Sequence, residues 1–531
     1  MKLCELINPV DLKSELEADS RPERKLSDRS EYQECEISSI HCRAQDVRPG
    51  GLFVAIEGLE ADGHDYIDEA IVRGAAAIIV QRSVYKNVPV IKVENTRKTL
   101  SRVSARFYRN PAQRLCIIGI TGTNGKTTTA YLCEGILKKA GFKVGVIGTI
   151  NYRYGEHTYP NPVTTPESLD LQRILSEMET AAVTHVLLEV SSHAMALYRV
   201  ADCWLDVGVF TNFSQDHLDF HGDIDSYWGC KQSMFTVHLI SGPKKNRASA
   251  VINGEDGRGK QLLSKLTVPC LTYGSTPQWN IWSSQTRYDL HGSSGIVHTP
   301  AGEFHFNSPL IGRHNVENIL AATAVGVALD IPVTTIKTGI ESVNVIPGRL
   351  ERIPNRIERF VFVDYAHTPN ALENALKALK SIQRARIICI FGCGGDRDQG
   401  KRPLMGEVAG RLSDLAIITS DNPRTEPPRR IIQQIREGIN HTASRSYTAA
   451  DLRAGFKEKG YTVEPDRKKA IELGISLSEP GDIVLIAGKG HETYQVIGKE
   501  SYPFDDRKVT EHILLALGET SEASITMADS A

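Results

Sequence analysis

A lysine and a threonine, Lys126 and Thr127, follow a glycine-rich turn in the segment ITGTNGKTTTA. A strand-like apolar run precedes this turn, and an amphipathic, helix-like run follows it. In such a loop the backbone N–H groups at the start of the helix can surround a triphosphate, while the lysine neutralises phosphates and the threonine hydroxyl binds Mg²⁺. The spacing differs by one residue from GxxxxGK[ST], because Ile120 occupies the first glycine position. A plain glycine-rich turn is the alternative interpretation.

A carboxylate that could share this metal ion is Glu189, which directly follows the apolar run THVLL. An acidic residue at the carboxyl end of a buried strand can face the Mg²⁺ held by Thr127. Such a residue is more often a solvated strand end or a cap. The phosphate loop upstream is what favours the metal-binding interpretation.

The elements that must position these residues are predicted to form an α/β protein. With 531 residues the chain exceeds one hydrophobic core, so several domains are expected. The pattern predicts a small α/β domain over 1–110, a second domain over 111–346, and a third over 347–531 that begins at the Pro-Gly pair 347–348. Both larger domains alternate strands and helices, as in mostly parallel, doubly wound sheets. Residues 235–310 are predicted to be an irregular edge of the second domain, and about 519–531 a disordered tail.

Composition excludes several functional classes. The 62 Lys and Arg balance the 64 Asp and Glu without a long block of like charge, which argues against nucleic-acid binding. No apolar run reaches the ~20 residues of a membrane span, and the chain start lacks the apolar core of a signal peptide. The ten cysteines form no CxxC pair, which argues against a zinc site or a disulfide framework. We therefore expect a cytoplasmic monomer without membrane insertion.

Further motifs run in order along nearly the whole chain. They are TTPES (164–168), EVSSHA (189–194), TNFSQDHLDFHG (211–222), YWGCKQSMF (227–235), GRHNVENILAA (312–322), PGRLERI (347–353) and DYAHTP (364–369). Together with the phosphate loop, this series resembles the Mur ligase family. The resemblance implies three domains: an N-terminal domain for the UDP end of the substrate, a central P-loop ATPase, and a C-terminal Rossmann-like domain for an incoming amino acid.

The resemblance also implies an ATP-dependent, ADP-forming ligase of peptidoglycan precursor synthesis. In that reaction ATP phosphorylates the free side-chain carboxylate of D-Glu in UDP-N-acetylmuramoyl-L-Ala-D-Glu, and an amine then displaces phosphate to form an amide. A carboxylate is a poor acyl acceptor because its leaving group would be oxide, and the acyl phosphate supplies a good leaving group. Since two anions must meet in this step, cations are expected around them.

The resemblance assigns roles to individual residues. The implied catalytic residues are Lys126, Glu189, His217 and Lys231, and the implied Mg²⁺ ligands are Thr127, Glu189, His217 and Lys231, the last as a carbamate. The implied ATP contacts are Gly122, Thr123, Asn124, Gly125, Lys126, Thr127, Thr128, Asn315, Asn318, Arg349 and Asp364. The implied contacts to the UDP-linked substrate are Thr164, Thr165, Ser191 and Arg199. Without the resemblance, Lys231 would be interpreted as a surface lysine and Asn315 as a helix cap.

Three segments further on indicate which amino acid is added. FGCGGDRDQGKRPLM (391–405), SDNPRTE (420–426) and AGKGHETYQ (487–495) resemble the family members that add the third amino acid, and DNPR is typical of those that use meso-diaminopimelate. The implied pocket consists of Arg397, Asp421, Asn422, Pro423, Arg424, Gly488 and Glu492. A guanidinium at Arg424 can bind the extra distal carboxylate that L-lysine lacks, and Glu492 can pair with the distal ammonium. A surface ion pair with Glu426 is the alternative for Arg424.

Some positions depart from the family pattern. His41-Cys42-Arg43 stands where the uracil motif is usually Asp-Ser-Arg, and Val163 and Leu197 replace the Asn and Gln of some members. The charged stretch 15–34 has no counterpart. A folylpolyglutamate synthetase of the same superfamily would lack DNPR and GKGHE. A non-catalytic scaffold would be expected to lose one of the four catalytic residues.

Overall fold

The computed structural model describes residues 1–7, 34–58, 61–382, 386–443, 445–453 and 455–528, with side chains described as far as residue 518. Three main sheets with flanking helices follow one another along the chain, which confirms the predicted α/β class. The charged stretch 15–34 lies almost wholly outside the described residues. No helix within the described ranges is long and apolar enough to cross a membrane.

The first sheet has four parallel strands in chain order. Its strands are Ser39–His41, Gly51–Val54, Ala75–Val80 and Val90–Lys92. The helices beside it are Leu3–Leu6, Ile67–Val72 and Thr96–Phe107, with short 3₁₀ turns at Ala44–Asp46 and Gly63–Tyr66. Asn95 caps the longest of these helices by accepting a hydrogen bond from the Lys98 backbone N–H at 2.9 Å.

The second sheet has eleven strands, and the strand before the phosphate loop lies inside it. In spatial order the strands are Gly302–Ser308, Gly292–Thr299, Ile281–Asp289, Cys270–Gly274, Ser249–Asn253, Val207–Phe210, Cys116–Thr121, His185–Glu189, Val144–Ile147, Asn151–Tyr154 and His157–Pro160. The inner pairings are parallel, and antiparallel hairpins close both edges. The carboxyl ends of Cys116–Thr121 and His185–Glu189 are therefore neighbours.

The residue types explain why Cys116–Thr121 is an inner strand. All but its first residue are buried, as expected for a parallel strand covered by helices on both faces. The helix that follows, Lys126–Lys139, begins after Gly125, whose left-handed backbone turns the chain. Lys138 and Lys139 lie in the last turn of this helix, where positive charge complements the helix dipole. The free N–H groups at its first turn thus face the loop.

The prediction of an irregular segment over 235–310 is wrong. This part of the chain forms five strands of the second sheet and the helix Gly257–Leu263. Three of the strands, Ile281–Asp289, Gly292–Thr299 and Gly302–Ser308, are antiparallel and half-exposed, so their polar residues alternate with buried ones. In an edge strand with one exposed face, every second residue is typically polar. Its sequence therefore resembles that of a polar loop when only the number of apolar residues is considered.

The third sheet has seven strands and is parallel except at one edge. In spatial order they are Glu351–Ile353, Phe360–Asp364, Ile483–Ala487, Ile387–Phe391, Leu415–Ile418, Gly460–Val463 and Arg445–Ser446. Only Glu351–Ile353 pairs antiparallel. A separate hairpin, Tyr494–Ile497 with Glu500–Pro503, packs beyond the sheet.

Helices cover both larger sheets. Beside the second sheet lie Lys126–Lys139, Ser168–Thr180, Ser192–Ala196, Leu218–His221, Ile224–Ser233, Arg313–Ala328 and Val333–Glu341, with a 3₁₀ turn at Pro111–Gln113 and a π-helical turn at Met234–His238. Beside the third sheet lie Pro369–Ile382, Lys401–Leu412, Pro428–Ile439, Ala449–Leu452, Arg467–Leu477 and Asp506–Ala528. The sequence predicts a disordered tail over 519–531. The side chains of these residues lie outside the described part of the chain, and so does the backbone of 529–531. The disorder stays a prediction, although the last helix is assigned to Ala528.

Two wholly buried charges, Arg467 and Asp506, join the last two of these helices. The Arg467 guanidinium donates to both Asp506 carboxylate oxygens, at 2.8 and 2.6 Å. It also donates to the backbone carbonyls of Ala487 and Ser420, at 3.1 and 3.4 Å, where two loops leave the sheet. One guanidinium therefore fixes both loops at the carboxyl edge of the third sheet.

We expect Arg467→Met to lower the free energy of unfolding by about 3–5 kcal/mol, because it leaves the Asp506 carboxylate buried without its partner. Urea-induced unfolding followed by circular dichroism measures this loss. The matched control is Arg73→Met, which removes the exposed Arg73–Glu69 pair and should cost less than about 1 kcal/mol. Equal effects of the two substitutions would contradict this account of the pair.

Candidate active site

The phosphate loop has two glycines that no other residue could replace. Gly122 and Gly125 both have positive φ, 148° and 84°. A Cβ at Gly122 would lie 1.9 Å from Thr211 Oγ1, and one at Gly125 would lie 2.4 Å from Asn318 Oδ1. The loop is therefore closed tightly against its neighbours. The hydroxyl of Thr211 also donates to the Asn124 carbonyl, at 2.6 Å, which holds the loop backbone in place.

The Lys126 side chain folds back onto this loop. Its Nζ donates to the carbonyls of Gly122 and Thr123, at 2.9 Å each. Burial lowers the pKa of Lys126, and the Glu189 carboxylate opposes that shift. A phosphate would offer this cation better acceptors than neutral carbonyls. The geometry fits the predicted phosphate-binding role.

The Glu189 carboxylate is buried, which excludes the alternative of a solvated strand end. Its Oε2 accepts hydrogen bonds from Thr127 Oγ1 at 3.0 Å and from Thr149 Oγ1 at 2.8 Å. Its Oε1 accepts one from the Thr149 backbone N–H at 3.2 Å. Thr127 and Glu189 therefore meet, and their oxygens are the hard ligands that Mg²⁺ prefers. This donor set fits a magnesium ion beside the loop.

His217 lies next to other titratable groups. Its Nε2 is 3.5 Å from Asp216 Oδ2, and its ring contacts His193 at a centroid distance of 4.8 Å. Burial lowers the pKa of His217, and the nearby Lys126 and Lys231 act in the same direction while Asp216 opposes them. Within the described residues no three His, Cys, Asp or Glu side chains form a ready-made metal site. His217 is thus brought near both lysines, and its metal-binding role stays a prediction.

Lys231 is 2% exposed, which excludes the interpretation of a surface lysine. Its Nζ donates to the Gly122 carbonyl at 2.9 Å and lies 4.9 Å from the centre of the Tyr227 ring. Burial holds the pKa of Lys231 well below its usual range, and the positive charge of Lys126 adds to the effect. Both effects shift Lys231 toward its neutral form relative to a lysine in water.

The third sheet contributes residues to the same loop. Arg349 Nη2 donates to Thr127 Oγ1 at 3.3 Å, and its guanidinium lies 4.8 Å from the centre of the Tyr365 ring. Asp364 Oδ2 accepts from the Leu350 backbone N–H at 2.6 Å, which fixes the turn that carries Arg349. Burial raises the pKa of Asp364, and Arg349 opposes the rise. Both residues thus lie where the second and third sheets meet.

Asn315 and Asn318 are buried and bonded to each other. Asn318 Nδ2 donates to Asn315 Oδ1 at 3.2 Å, and Asn315 Nδ2 donates to the Ile311 carbonyl at 2.9 Å. The helix is preceded by Gly312, so the alternative of a cap at Asn315 is wrong. Asn318 packs against Gly125, so the two amides help to hold the phosphate loop in place. Their contact with adenine stays a prediction.

The four residues expected at the UDP-linked substrate adjoin Glu189. Thr165 Oγ1 donates to the Glu189 carbonyl at 2.7 Å and accepts from the Ser191 backbone N–H at 3.1 Å. Arg199 Nη1 donates to the Thr165 carbonyl at 3.0 Å, and the Thr164 and Thr149 hydroxyls are 3.1 Å apart. This cluster therefore continues directly from the Glu189 carboxylate.

The residues expected to bind the amino acid converge at the carboxyl edge of the third sheet. Gly488, with φ 119°, brings its backbone against Asp421, and a Cβ there would lie 2.5 Å from Asp421 Oδ2. The Asn422 amide donates to Glu492 Oε2 at 2.9 Å. Gly488 N–H also donates to the Asp364 carbonyl at 3.0 Å, which links this pocket to the Arg349 turn.

Arg424 is held in a strained backbone conformation with φ 50°. The hairpin Tyr494–Pro503 clamps it: Arg424 N–H donates to the Val496 carbonyl at 3.1 Å, and Gly498 N–H donates to the Arg424 carbonyl at 2.8 Å. Strain of this kind is typical of functional positions. The guanidinium donates to the Gly395 carbonyl at 2.8 Å.

The alternative of an Arg424–Glu426 ion pair is wrong, because Glu426 is paired with the wholly buried Arg402 at 2.7 Å. Burial lowers the pKa of Arg424, and the adjacent Arg397 guanidinium lowers it further. Neither Arg424 nor Arg397 lies within ion-pair distance of a carboxylate in the described ranges. The carboxylates of Asp421, Glu492 and Asp396 are near enough to oppose these shifts. Two neighbouring guanidiniums without a directly bonded carboxylate favour an anionic ligand.

Several residues of the site were not predicted from the sequence. Thr149 binds the Glu189 carboxylate, and Asn370 Oδ1 accepts from the phosphate-loop Asn124 amide at 3.1 Å. His491 packs against Tyr365, with ring centroids 4.8 Å apart, and burial lowers the pKa of His491 to about 3. Lys489 lies in the same motif as Glu492 and is wholly buried. Lys489 and His491 lie in the motif GKGHE and Asn370 directly follows DYAHTP, whereas Thr149 lies in none of the motifs.

Three segments of the chain match known protein families. Residues 36–108 match the family described as "Mur ligase family, catalytic domain", residues 120–326 match "Mur ligase middle domain", and residues 348–490 match "Mur ligase, glutamate ligase domain". The chain belongs to the Mur ligase family. The predicted resemblance is thereby confirmed.

Similar curated proteins extend along most of the chain. It is 48% identical over 475 residues to the UDP-N-acetylmuramoyl-L-alanyl-D-glutamate–2,6-diaminopimelate ligase of Geobacter metallireducens, covering 89% of this chain and 93% of that protein. It is 45% identical, with the same coverage, to the ligase of the same name from Geobacter sulfurreducens. A solved structure of a ligase of that name is similar with a TM-score of 0.65 and 28% identity, covering 98% of this chain and 99% of the other.

Proposed function

We propose that this chain is an ATP-dependent ligase that adds meso-2,6-diaminopimelate to the D-Glu side-chain carboxylate of UDP-N-acetylmuramoyl-L-Ala-D-Glu. The products are the UDP-linked tripeptide, ADP and phosphate. The observation that carries the proposal is the pair of neighbouring guanidiniums, Arg424 and Arg397, with the Asp421 and Glu492 carboxylates close to Arg424. Such a pocket offers opposite charges to each end of a diamino diacid, while the phosphate loop lies across the interface from it.

In this proposal the central sheet binds ATP. The loop N–H groups and the start of the helix Lys126–Lys139 bind the phosphates, and the Lys126 ammonium exchanges its carbonyl partners for phosphate oxygens. Thr127 and Glu189 would hold Mg²⁺, which shields the phosphate charge when bound. Arg349 already touches Thr127 and adds a further cation from the third sheet. The carboxylate and the phosphate can then approach each other.

The first chemical step forms a bond between a D-Glu carboxylate oxygen and the terminal phosphorus, with ADP as the leaving group. Thr164, Thr165, Ser191 and Arg199 would hold the UDP-linked substrate, since their cluster continues from Glu189. In the second step the diaminopimelate amine attacks the acyl carbon, the C–O bond to phosphate breaks, and the amine loses a proton. Water must be excluded, because it would hydrolyse the acyl phosphate.

A carbamate on Lys231 is part of the proposal. A carbamate forms when a neutral amine attacks CO₂, and burial together with Lys126 favours the neutral form of Lys231. The product would carry a negative charge on oxygen, and with His217 it would offer ligands to a second Mg²⁺. An unmodified ammonium could not act as such a ligand.

We further propose three domains with boundaries near residues 110 and 347. In chain order they bind the UDP end of the substrate, ATP and the amino acid. The Asn124–Asn370 and Arg349–Thr127 hydrogen bonds support closure of the third domain over the nucleotide. Because these hydrogen bonds join the phosphate loop to the third domain of the same chain, we propose that the protein acts as a monomer. The UDP-linked substrate and ATP place the reaction in the cytoplasm.

Trapping with hydroxylamine tests the acyl phosphate. With ATP, Mg²⁺ and UDP-N-acetylmuramoyl-L-Ala-D-Glu, hydroxylamine in place of the amino acid should yield a hydroxamate, detected as its coloured iron(III) complex. One ADP should form for each hydroxamate, and none should form without the UDP-linked substrate. Release of AMP and pyrophosphate instead would contradict the mechanism, because it indicates an acyl adenylate.

A further inference from the structure

Lys489 places a wholly buried ammonium at the back of the pocket proposed for the amino acid. Its side chain is 0% exposed, and its Nζ donates to Asn422 Oδ1 and to Glu492 Oε2, at 3.0 Å each. The Asp421 carboxylate lies 4.0 Å away, and the Tyr494 ring covers the ammonium at 5.6 Å. Burying a charged side chain costs free energy, and these partners offset that cost for Lys489.

The contacts of Lys489 determine which way the Asn422 amide points. Asn422 Oδ1 accepts from both Lys489 Nζ and the Val496 backbone N–H, at 3.0 Å each. Both are obligate donors, so only the oxygen can occupy that position. The amide nitrogen must then face Glu492, and Nδ2 donates to Oε2 at 2.9 Å. The orientation of Asn422 is thus fixed by its donors.

The same contacts orient the Glu492 carboxylate. Lys489 and Asn422 both donate to Oε2, whereas Oε1 makes no hydrogen bond with the described residues. One oxygen is therefore anchored and the other is available to a ligand. An ammonium group is the natural partner of such an oxygen.

Lys489 also compensates the charge of Glu492. The ionisable groups that face Glu492 are Lys489, Asp421, Arg424, Arg467, Tyr365 and Tyr494. Burial raises the pKa of Glu492, Asp421 raises it further, and Lys489 opposes the rise. Arg467 is engaged by Asp506, and Arg424 donates to a backbone carbonyl, so Lys489 is the cation that directly binds the carboxylate.

We propose that Lys489 is a positioning residue for the amino-acid substrate: it anchors Glu492 Oε2 and Asn422 Oδ1 so that Glu492 Oε1 receives the distal ammonium of a diamino acid. This inference rests on the proposed function. Lys489 acts through Glu492 and does not need to touch the substrate. Its loss should therefore affect recognition of the amino acid and leave ATP binding intact.

Lys489→Gln tests the inference, because glutamine can still donate hydrogen bonds but carries no charge. We expect the KM for meso-diaminopimelate to rise about tenfold to a hundredfold, with the KM for ATP changed less than about twofold. In this variant the KM for meso-diaminopimelate should also fall as pH rises, because loss of Lys489 removes the charge that opposes the raised pKa of Glu492. In the wild type this pH dependence should be weaker.

The matched control is Lys244→Gln. Lys244 is another buried lysine, 2% exposed, that donates to the Leu115 carbonyl at 2.6 Å and pairs with Asp206. Its loss should lower stability without changing the KM for meso-diaminopimelate. If Lys489→Gln does not fold, Lys489→Arg replaces it: the larger guanidinium should raise the KM while keeping the weak pH dependence of the wild type.

A double-mutant cycle with Glu492→Gln separates a positioning role from a merely structural one. Because Lys489 acts through Glu492, the double variant should have a KM for meso-diaminopimelate no higher than Glu492→Gln alone. Additive increases, or an unchanged KM in both Lys489 variants, would overturn the inference. If the wild-type protein does not turn over meso-diaminopimelate at all, the proposed function itself fails, and this outcome is distinct from a failure of the Lys489 variants.

Discussion

Lys126→Ala should reduce ATP-dependent turnover by at least about a thousandfold, because it removes the cation that stabilises the negative charge of the ATP phosphates during transfer of the terminal phosphoryl group to the carboxylate. In the structure this ammonium bonds only to loop carbonyls that a phosphate can replace, at 2.9 Å. Phosphate release with saturating substrates measures the loss. Folding should be preserved, since the hydrogen bonds of Lys126 stay within its own loop.

A second lysine on the same helix provides the control for this prediction. Lys139 is exposed in the last turn, so Lys139→Ala should leave turnover within about twofold of the wild type. Full activity of Lys126→Ala would contradict the assignment of the phosphate loop. Equal losses in both variants would indicate damage to the helix.

Arg424→Ala should lower kcat/KM for meso-diaminopimelate by about a hundredfold or more, because the distal carboxylate loses a charged, hydrogen-bonded partner. L-lysine lacks that carboxylate, so its kcat/KM should change much less. The ratio of the two values should therefore fall at least about tenfold. Steady-state kinetics with both amino acids measures the ratio.

Arg430 is a suitable control because it is an exposed arginine on the neighbouring helix Pro428–Ile439. Arg430→Ala should leave the selectivity ratio unchanged. If Arg424→Ala also leaves the ratio unchanged, the guanidinium does not recognise the distal carboxylate. The strained backbone at Arg424 would then need another explanation.

Much of the site could be predicted because its residues lie in short local motifs. The strand, the glycine turn and Lys126 with Thr127 are adjacent in sequence, so the loop geometry follows from local chemistry. Glu189 could be placed beside Thr127 because the carboxyl ends of parallel strands meet at one edge of a sheet. The burial of Lys231, by contrast, depends on Tyr227 and on a loop 109 residues away, and only the family resemblance pointed to it.

Other features required the three-dimensional structure. The edge strands over 281–308 were not predicted from the sequence. Many of their residues are polar, so the segment has the low density of apolar residues that is typical of a loop. The partner of Glu426 could not be identified by proximity in sequence, since the buried Arg402 binds it from the helix Lys401–Leu412. The role of Lys489 depends on Asn422, 67 residues away, and on the orientation of one amide. Interactions of this kind are set by packing across the chain.

The most direct test of the account is phosphate release by the purified protein with ATP, Mg²⁺ and UDP-N-acetylmuramoyl-L-Ala-D-Glu, with meso-diaminopimelate, L-lysine or no amino acid. We expect sustained release with meso-diaminopimelate and little with the other two, together with a UDP-linked tripeptide identified by mass spectrometry. Equal release with L-lysine would contradict the role given to Arg424 while keeping the ligase reaction. Absence of release with every amino acid would contradict the proposed function.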